Sequence, residues 1–267
     1  IRQMMNSGFV ASAEIYIQQL QEEGRMSAAK NQTSVLRRFI AYLGKKEIPF
    51  KDFDAVLIRN YHTWLERQEL GTNTVSVYMR NLKHLYRQVA EAKGQEVENL
   101  FKNINSSYRM KQDRNGLTLS EIKKLRKMDL SNERPFVSVS RDFFLFSVLA
   151  HGMAGGDIFY LTTDNIHGGE LTYEVHATGK EVTIPWEPAM QEIVDRYKRP
   201  DSPYLFPLID AADEEDRYRQ HTQTLQRINR QLHKLGELLD LPFNLNMTVA
   251  RHSWSSMMQS VPVSKLI

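Results

Sequence analysis

From residue 9 to residue 94 apolar side chains return at helical spacing. The runs "VASAEIYIQQLQEEG", "SVLRRFIAYLG", "DAVLIRNYHTWLERQ" and "TNTVSVYMRNLKHLYRQVAEAKG" are punctuated by Gly24, Gly44, Pro49, Gly71 and Gly94. The pattern predicts four helices. Residues 103–117, "NINSSYRMKQDRNGL", are polar, basic and aperiodic, which suits a linker between domains or an ordinary long surface loop. "TLSE" at 118–121 then has the spacing of a capping box and opens a new helix. "RDFFLFSVLAHG" is apolar around its whole wheel, as a buried helix is, and Gly152 ends it. In "GGELTYEVHATGKEVTIPW" the period changes to alternation, predicting two or three short strands with a tight turn at Thr178-Gly179. "DAADEED", 210–216, reads as a solvated acidic loop, and "TLQRINRQLHKLGELLDLP" as an amphipathic helix. No internal repeat is visible. The expected fold class is mainly α with a small antiparallel β-sheet: a helical domain over 1–105, a linker over 106–116 and a mixed, mostly helical domain over 117–267.

Composition narrows this picture modestly. At 267 residues and 41% hydrophobic the chain can bury a real core. Its charge of +3 and isoelectric point of about 8.9 permit a polyanionic partner without requiring one. With no cysteine, disulfides, thiolate metal sites and thiol nucleophiles are excluded. No apolar run approaches the ~18 residues of a membrane span, and the first residues lack a secretory core. The expectation is a soluble cytoplasmic protein without a membrane partner, continuing beyond Ile1 and Ile267 in its natural form.

Charge is concentrated in two places. On the wheel of the fourth helix Tyr78, Leu82, Leu85 and Val89 form one stripe, while Arg80, Lys83 and Arg87 cluster opposite, and no Asp or Glu occurs between Thr72 and Ala90. With Thr72 and Thr74 at its start, this face suits a nucleic-acid backbone; a solvated helix face is the plain alternative. Arg37 and Arg38 on an earlier helix extend it. The second concentration is chemical: Asp157 beyond a buried helix, Lys180 in a turn between strands, and Arg251 between Val249, Ala250 and Trp254. An arginine in apolar surroundings calls for an anionic partner, from the protein or a ligand. Singly, Asp157 is explained as an N-cap, Lys180 as a turn lysine and Arg251 as the partner of a buried carboxylate such as Asp157. Glycosidase, metalloenzyme, nucleotide-hydrolase and serine-hydrolase motifs are absent.

"GTNTVSVYMRNLKHLYRQVAEAKG", "LTLSEIKKL" and above all "LHKLGELLDLPFNLNMTVARHSW" resemble the tyrosine recombinases, the phage-integrase family, and within it integrases of Bacteroides-type mobile elements. The resemblance implies a helical, SAM-like core-binding domain followed by an α+β catalytic-type domain. It implies a site-specific recombinase that clamps duplex DNA and exchanges strands through a 3′-phosphotyrosyl link, with no cofactor and no metal. Arg251 would grip the phosphodiester, and Lys180 would protonate the leaving 5′ oxygen. Asp157 and His252 would support them from behind, and Thr72, Thr74, Arg80, Lys83 and Arg87 would bind DNA. The implied partners are double-stranded DNA, further copies in a homo-tetramer on paired sites, and accessory DNA-bending or directionality proteins, in the bacterial nucleoid.

The chain departs from the family pattern where Ala154 replaces the first arginine, Ala177 the usual lysine, and Thr248 the histidine before the second arginine. The nucleophilic tyrosine is expected beyond Ile267. Two rivals follow: a catalytically weakened DNA-binding regulator or accessory protein, and a helical interaction protein whose basic ridge serves solubility alone.

Overall fold

The computed structural model describes residues 7–97, 99–102, 115–210 and 213–257. The expected linker up to residue 114, residues 211–212 of the acidic loop and the expected catalytic-type domain beyond 257 lie outside them. The chain divides into two compact units, Ile1–Gln112 and Asp113–Ile267. The fold class is mainly helical with one small antiparallel sheet, as the alternation of periods predicts.

In the first unit the four expected helices are α1 (Phe9–Glu22), α2 (Met26–Leu43), α3 (Ala55–Glu66) and α4 (Thr72–Ala92), with a single 3-10 turn at Phe50–Asp52. The glycine punctuation works through backbone geometry: Gly44 caps α2 at φ 63°, a left-handed conformation that glycine adopts without penalty. Their buried faces meet in an aromatic core, where Phe39 lies 5.1 Å edge-on from Tyr61 and Phe53 stacks 5.0 Å from Tyr86. The Glu47 carboxylate closes the start of α1, accepting from the N–H groups of Val10 (2.8 Å) and Ala11 (3.0 Å).

The second unit opens with α5 (Leu119–Lys127), whose capping box forms as expected: Thr118 N–H donates to Glu121 Oε2 at 2.7 Å, and Glu121 N–H to Thr118 Oγ1 at 3.3 Å. α6 (Pro135–Leu149) is surrounded by core, with every residue from Asp142 to Leu149 buried. Asp142 in that run is held by Arg141 Nε (2.9 Å), Arg196 Nη1 (2.8 Å) and Tyr197 Oη (2.7 Å). The one-turn helix α7 (Gly155–Ile158) leads into the sheet β1 (Ile166–His167), β2 (Glu170–Val175), β3 (Lys180–Pro185), ordered as in the chain. Helices α8 (Pro188–Asp195), α9 (Glu214–Leu238) and α10 (Met247–Met257) follow among the described residues.

Two local expectations are corrected. The acidic stretch is not all loop: Asp213 caps α9, accepting from Asp216 N–H at 2.8 Å, so that helix starts at the fifth residue of "DAADEED". Carboxylates suit that position because the helix N-terminus carries partial positive charge. The β2–β3 turn is wider than Thr178-Gly179. Val175 pairs with Lys180, so the connection is the four residues 176–179 and Lys180 is the first residue of β3.

Candidate functional site

In the first unit, α4 meets the wheel prediction in part: Leu82, Leu85 and Val89 turn inward, but Tyr78 and Lys83 are each half-buried. Met79, Leu82, Leu85, Tyr86 and Val89 are buried, while Thr72, Thr74, Arg80 and Arg87 are exposed and Lys83 is half-buried. Lys83 and Arg87 border a cavity of about 320 Å³ that is lined also by Tyr86 and Phe101. Arg37 is exposed, but Arg38 is drawn inward, its guanidinium 5.6 Å from the centre of the Tyr78 ring. The Ser34 hydroxyl, ahead of Arg38, holds the Tyr78 phenol below its ordinary pKa.

In the second unit the end of α6, the short α7, the β2–β3 turn and α10 converge. His151 and Gly152 follow α6 in left-handed conformations, φ 56° and 75°. Glycine is needed at 152, because a Cβ there would stand 2.8 Å from Arg251 Cα. That close approach lets the Gly152 carbonyl accept from Arg251 Nε at 3.0 Å. Arg251 is not buried, contrary to the expectation from its neighbours. Val249 and Ala250 face the core, and the next residue on the helix emerges exposed, making no ion pair among the described residues. One side of the guanidinium is therefore anchored, and its Nη fork is left for an anion.

Asp157 is buried in α7, but it is not an N-cap. Its Oδ1 accepts from the His176 peptide N–H across the β2–β3 turn, at 3.2 Å. Burial raises its pKa, opposed by that hydrogen bond and by electrostatic interaction with His176 and Arg251. Asp157 thus ties the turn to α7 and shares an electrostatic neighbourhood with Arg251, without a salt bridge to it. Tyr173 belongs to the same group: burial raises its phenol pKa, Asp157 raises it further and Arg251 lowers it.

Lys180 is exposed and makes no ion pair with Asp157 or any other carboxylate among the described residues. Antiparallel pairing puts it on the face of Val182 and Ile184, opposite Leu171, Tyr173 and Val175, the face that packs on the core. His252 is half-buried, with its peptide against Gly116, where a Cβ would stand 2.9 Å from the His252 carbonyl carbon. Trp254 is half-buried and not core; it stacks 5.1 Å from His151.

The sequence reading passed over His176 and His221, which complete this group. The His176 ring lies over Tyr160 at 5.8 Å and an angle of 16°. His221, on α9, packs 4.9 Å from Phe159 and against Gly156, and neither of its ring nitrogens has a hydrogen-bond partner among the described residues. Burial lowers its pKa, with a smaller contribution from His176. Nothing in their local sequence marks these histidines; only the fold brings His176 to Asp157 and His221 to Phe159 and Gly156.

Residues 8–110 match the phage integrase SAM-like domain family. No curated protein sequence matches the chain. Among solved structures it is similar to a lambda integrase (75-356) dimer bound to a COC′ core site, at 17% identity and a TM-score of 0.63, over 96% of this chain and 93% of that one. The fold is that of lambda integrase. A lambda integrase tetramer bound to a Holliday junction has the same fold, at 14% identity, a TM-score of 0.63, and 97% and 75% coverage. So does the XerH site-specific recombinase bound to its difH substrate, at 13% identity, a TM-score of 0.59, and 94% and 80% coverage. Within this integrase fold Arg251, the buried Asp157 and the turn residue His176 form one neighbourhood of the second unit. No helix among the described residues is long and apolar enough to cross a membrane.

Proposed function

We propose that this chain is an integrase-type DNA-binding protein of site-specific recombination, which engages duplex DNA with each of its two units and presents Arg251 to a phosphodiester. The observation that carries the reading is the half-anchored guanidinium: Gly152 O holds Nε at 3.0 Å, leaving the Nη pair directed by a rigid helix. A planar fork held this way matches two nonbridging phosphate oxygens and stabilises the charge that grows on them as a strand is displaced. Similarity of fold to proteins solved on DNA core sites and on a junction supports the reading, as does the basic, carboxylate-free face of α4 with Thr72, Thr74, Arg80, Lys83 and Arg87.

In the catalytic form of this proposal, Lys180 protonates the leaving 5′ oxygen and a tyrosine beyond Ile267 is the nucleophile. Asp157 keeps the hairpin turn in place, His252 packs behind Arg251, and the working assembly is a tetramer on paired sites in the cytoplasm. Accessory DNA-bending proteins and origin in a Bacteroides-type mobile element belong to the same proposal. Ala154, Ala177 and Thr248 favour a second reading, in which the same surfaces bind DNA without breaking it, as a regulator or accessory protein would.

Arg251→Lys separates the two. In a chain carried through to its tyrosine, the lysine variant should bind a nicked suicide duplex as wild type does, yet accumulate covalent adduct at least tenfold more slowly, since a point charge does not replace the fork. Equal rates would move the role to another residue. Absence of adduct in wild type, with binding intact, would favour the regulator.

A further inference from the structure

Four large apolar side chains stand exposed among the described residues: Val56, Val77, Val97 and Leu238. Val77 is the one within the basic helix α4, 39% exposed and near the point opposite the buried stripe. At 100° per residue, Asn73, Thr74, Arg80, Asn81 and His84 all lie within about 60° of it. The outermost ridge of α4 is thus not its most charged line. It is an apolar side chain between two asparagines, with Arg80 and Arg87 on one flank and, beyond Tyr78, Arg38 on the other. His84 is occupied by Tyr16 at 3.1 Å, so the ridge open to a partner is the first half of the helix. β-branched valine is a poor choice for an exposed helix position that packs against nothing, whereas alanine or lysine would cost less.

We infer that Val77 reads a thymine methyl group in the major groove of duplex DNA, making the Asn73–Val77–Asn81 ridge the base-reading surface of the first unit. The inference rests on the duplex-binding proposal and deepens it. The occupant follows from charge: exposed Arg80 and Arg87 line one flank, half-buried Arg38 lies over Tyr78 on the other, and no carboxylate occurs from Thr72 to Ala90, so a polyanion fits and an acidic helix face does not account for the surface. The division of labour follows from chemistry. Flanking arginines meet phosphates on either side of a groove, while the C5 methyl of thymine is the one apolar group that the groove floor offers to a valine. Arg80 Nε is turned to Ser76 O at 3.4 Å, which keeps its guanidinium to the side of the ridge and Val77 at the apex.

The test begins by selecting a preferred duplex from a random pool with the whole chain, then replacing each thymine in turn by deoxyuridine, which lacks only the methyl. At one position, or at its symmetric mate, wild type should bind the uracil duplex about fourfold more weakly, the worth of one buried methyl group. Val77→Ala should bind thymine and uracil equally there and behave as wild type elsewhere; being exposed, the residue can be replaced without loss of fold. Val77→Thr, which keeps one methyl, should retain part of the preference. A wild type indifferent to every uracil, a selection without any preferred sequence, or a Val77→Ala variant that still discriminates would overturn the inference. In each of those cases salt-dependent duplex binding would leave the broader proposal standing. No duplex binding at all would remove both.

Discussion

Replacing Gly152 by alanine tests how Arg251 is held. Two costs should add. An L-residue at φ 75° pays about 1–2 kcal/mol for the left-handed conformation. The new Cβ also stands 2.8 Å from Arg251 Cα and 3.2 Å from its Cβ and Cγ, and because the first of these is backbone, α10 must shift. Forcing a methyl group into a packed contact costs about 1–3 kcal/mol. The total is about 2–5 kcal/mol, a large fraction of the stability of an ordinary domain. Gly168 supplies the control in the same unit: its φ is 59° and a Cβ there meets nothing within 4 Å, so Gly168→Ala should pay the first cost alone. Urea unfolding of the two variants gives the contact with Arg251 as their difference, about 1–3 kcal/mol. Gly152→Ala should also weaken duplex binding, while Gly168→Ala should not. Equal stability losses, with duplex binding unchanged in both, would refute the claim that Gly152 fixes Arg251.

Two further outcomes concern proton chemistry. Lys180→Ala should cut slowly on an ordinary substrate but near the wild-type rate on one whose scissile bridging oxygen is sulfur, a leaving group that needs no proton; equal losses on both, or none, would take the acid role from Lys180. His221 has a folded pKa below its ordinary 6.5, so its contribution to stability is fully present above pH 6.5 and is lost as pH falls through the window beneath it. His221→Phe should flatten the loss of stability between pH 7.5 and pH 5.5, and an unchanged pH slope would mean that the imidazole is solvated in the native state.

Some of this architecture can be read along the chain because it depends on neighbours a few residues apart. The period of 3.6 residues alone determines that Leu82 and Leu85 of α4 face inward and Arg80 and Arg87 outward, and the Thr118–Glu121 box closes within one turn. The rest depends on distant partners. Asp142 in its apolar run has Arg141 beside it in sequence, but its other oxygen is met by Arg196 and Tyr197, 54 and 55 positions later. Lys180 moves from turn to strand because the register of β2 with β3, not the Thr-Gly pair, sets the length of the connection. Arg251 looks buried in sequence because Val249 and Ala250 are buried, yet each residue turns the helix by about 100° and the next one emerges. His176 meets Asp157, and His221 meets Phe159, only through the fold, and no local pattern could have named them.

Duplex affinity measured against salt tests the central claim, that this chain binds DNA through α4, most directly. If Arg80, Lys83 and Arg87 neutralise phosphates, replacing all three by alanine should weaken binding to every sequence alike and lower the magnitude of the slope of log K against log salt by about 2 to 3, each contact contributing ~0.9. A slope identical to that of wild type would contradict the account.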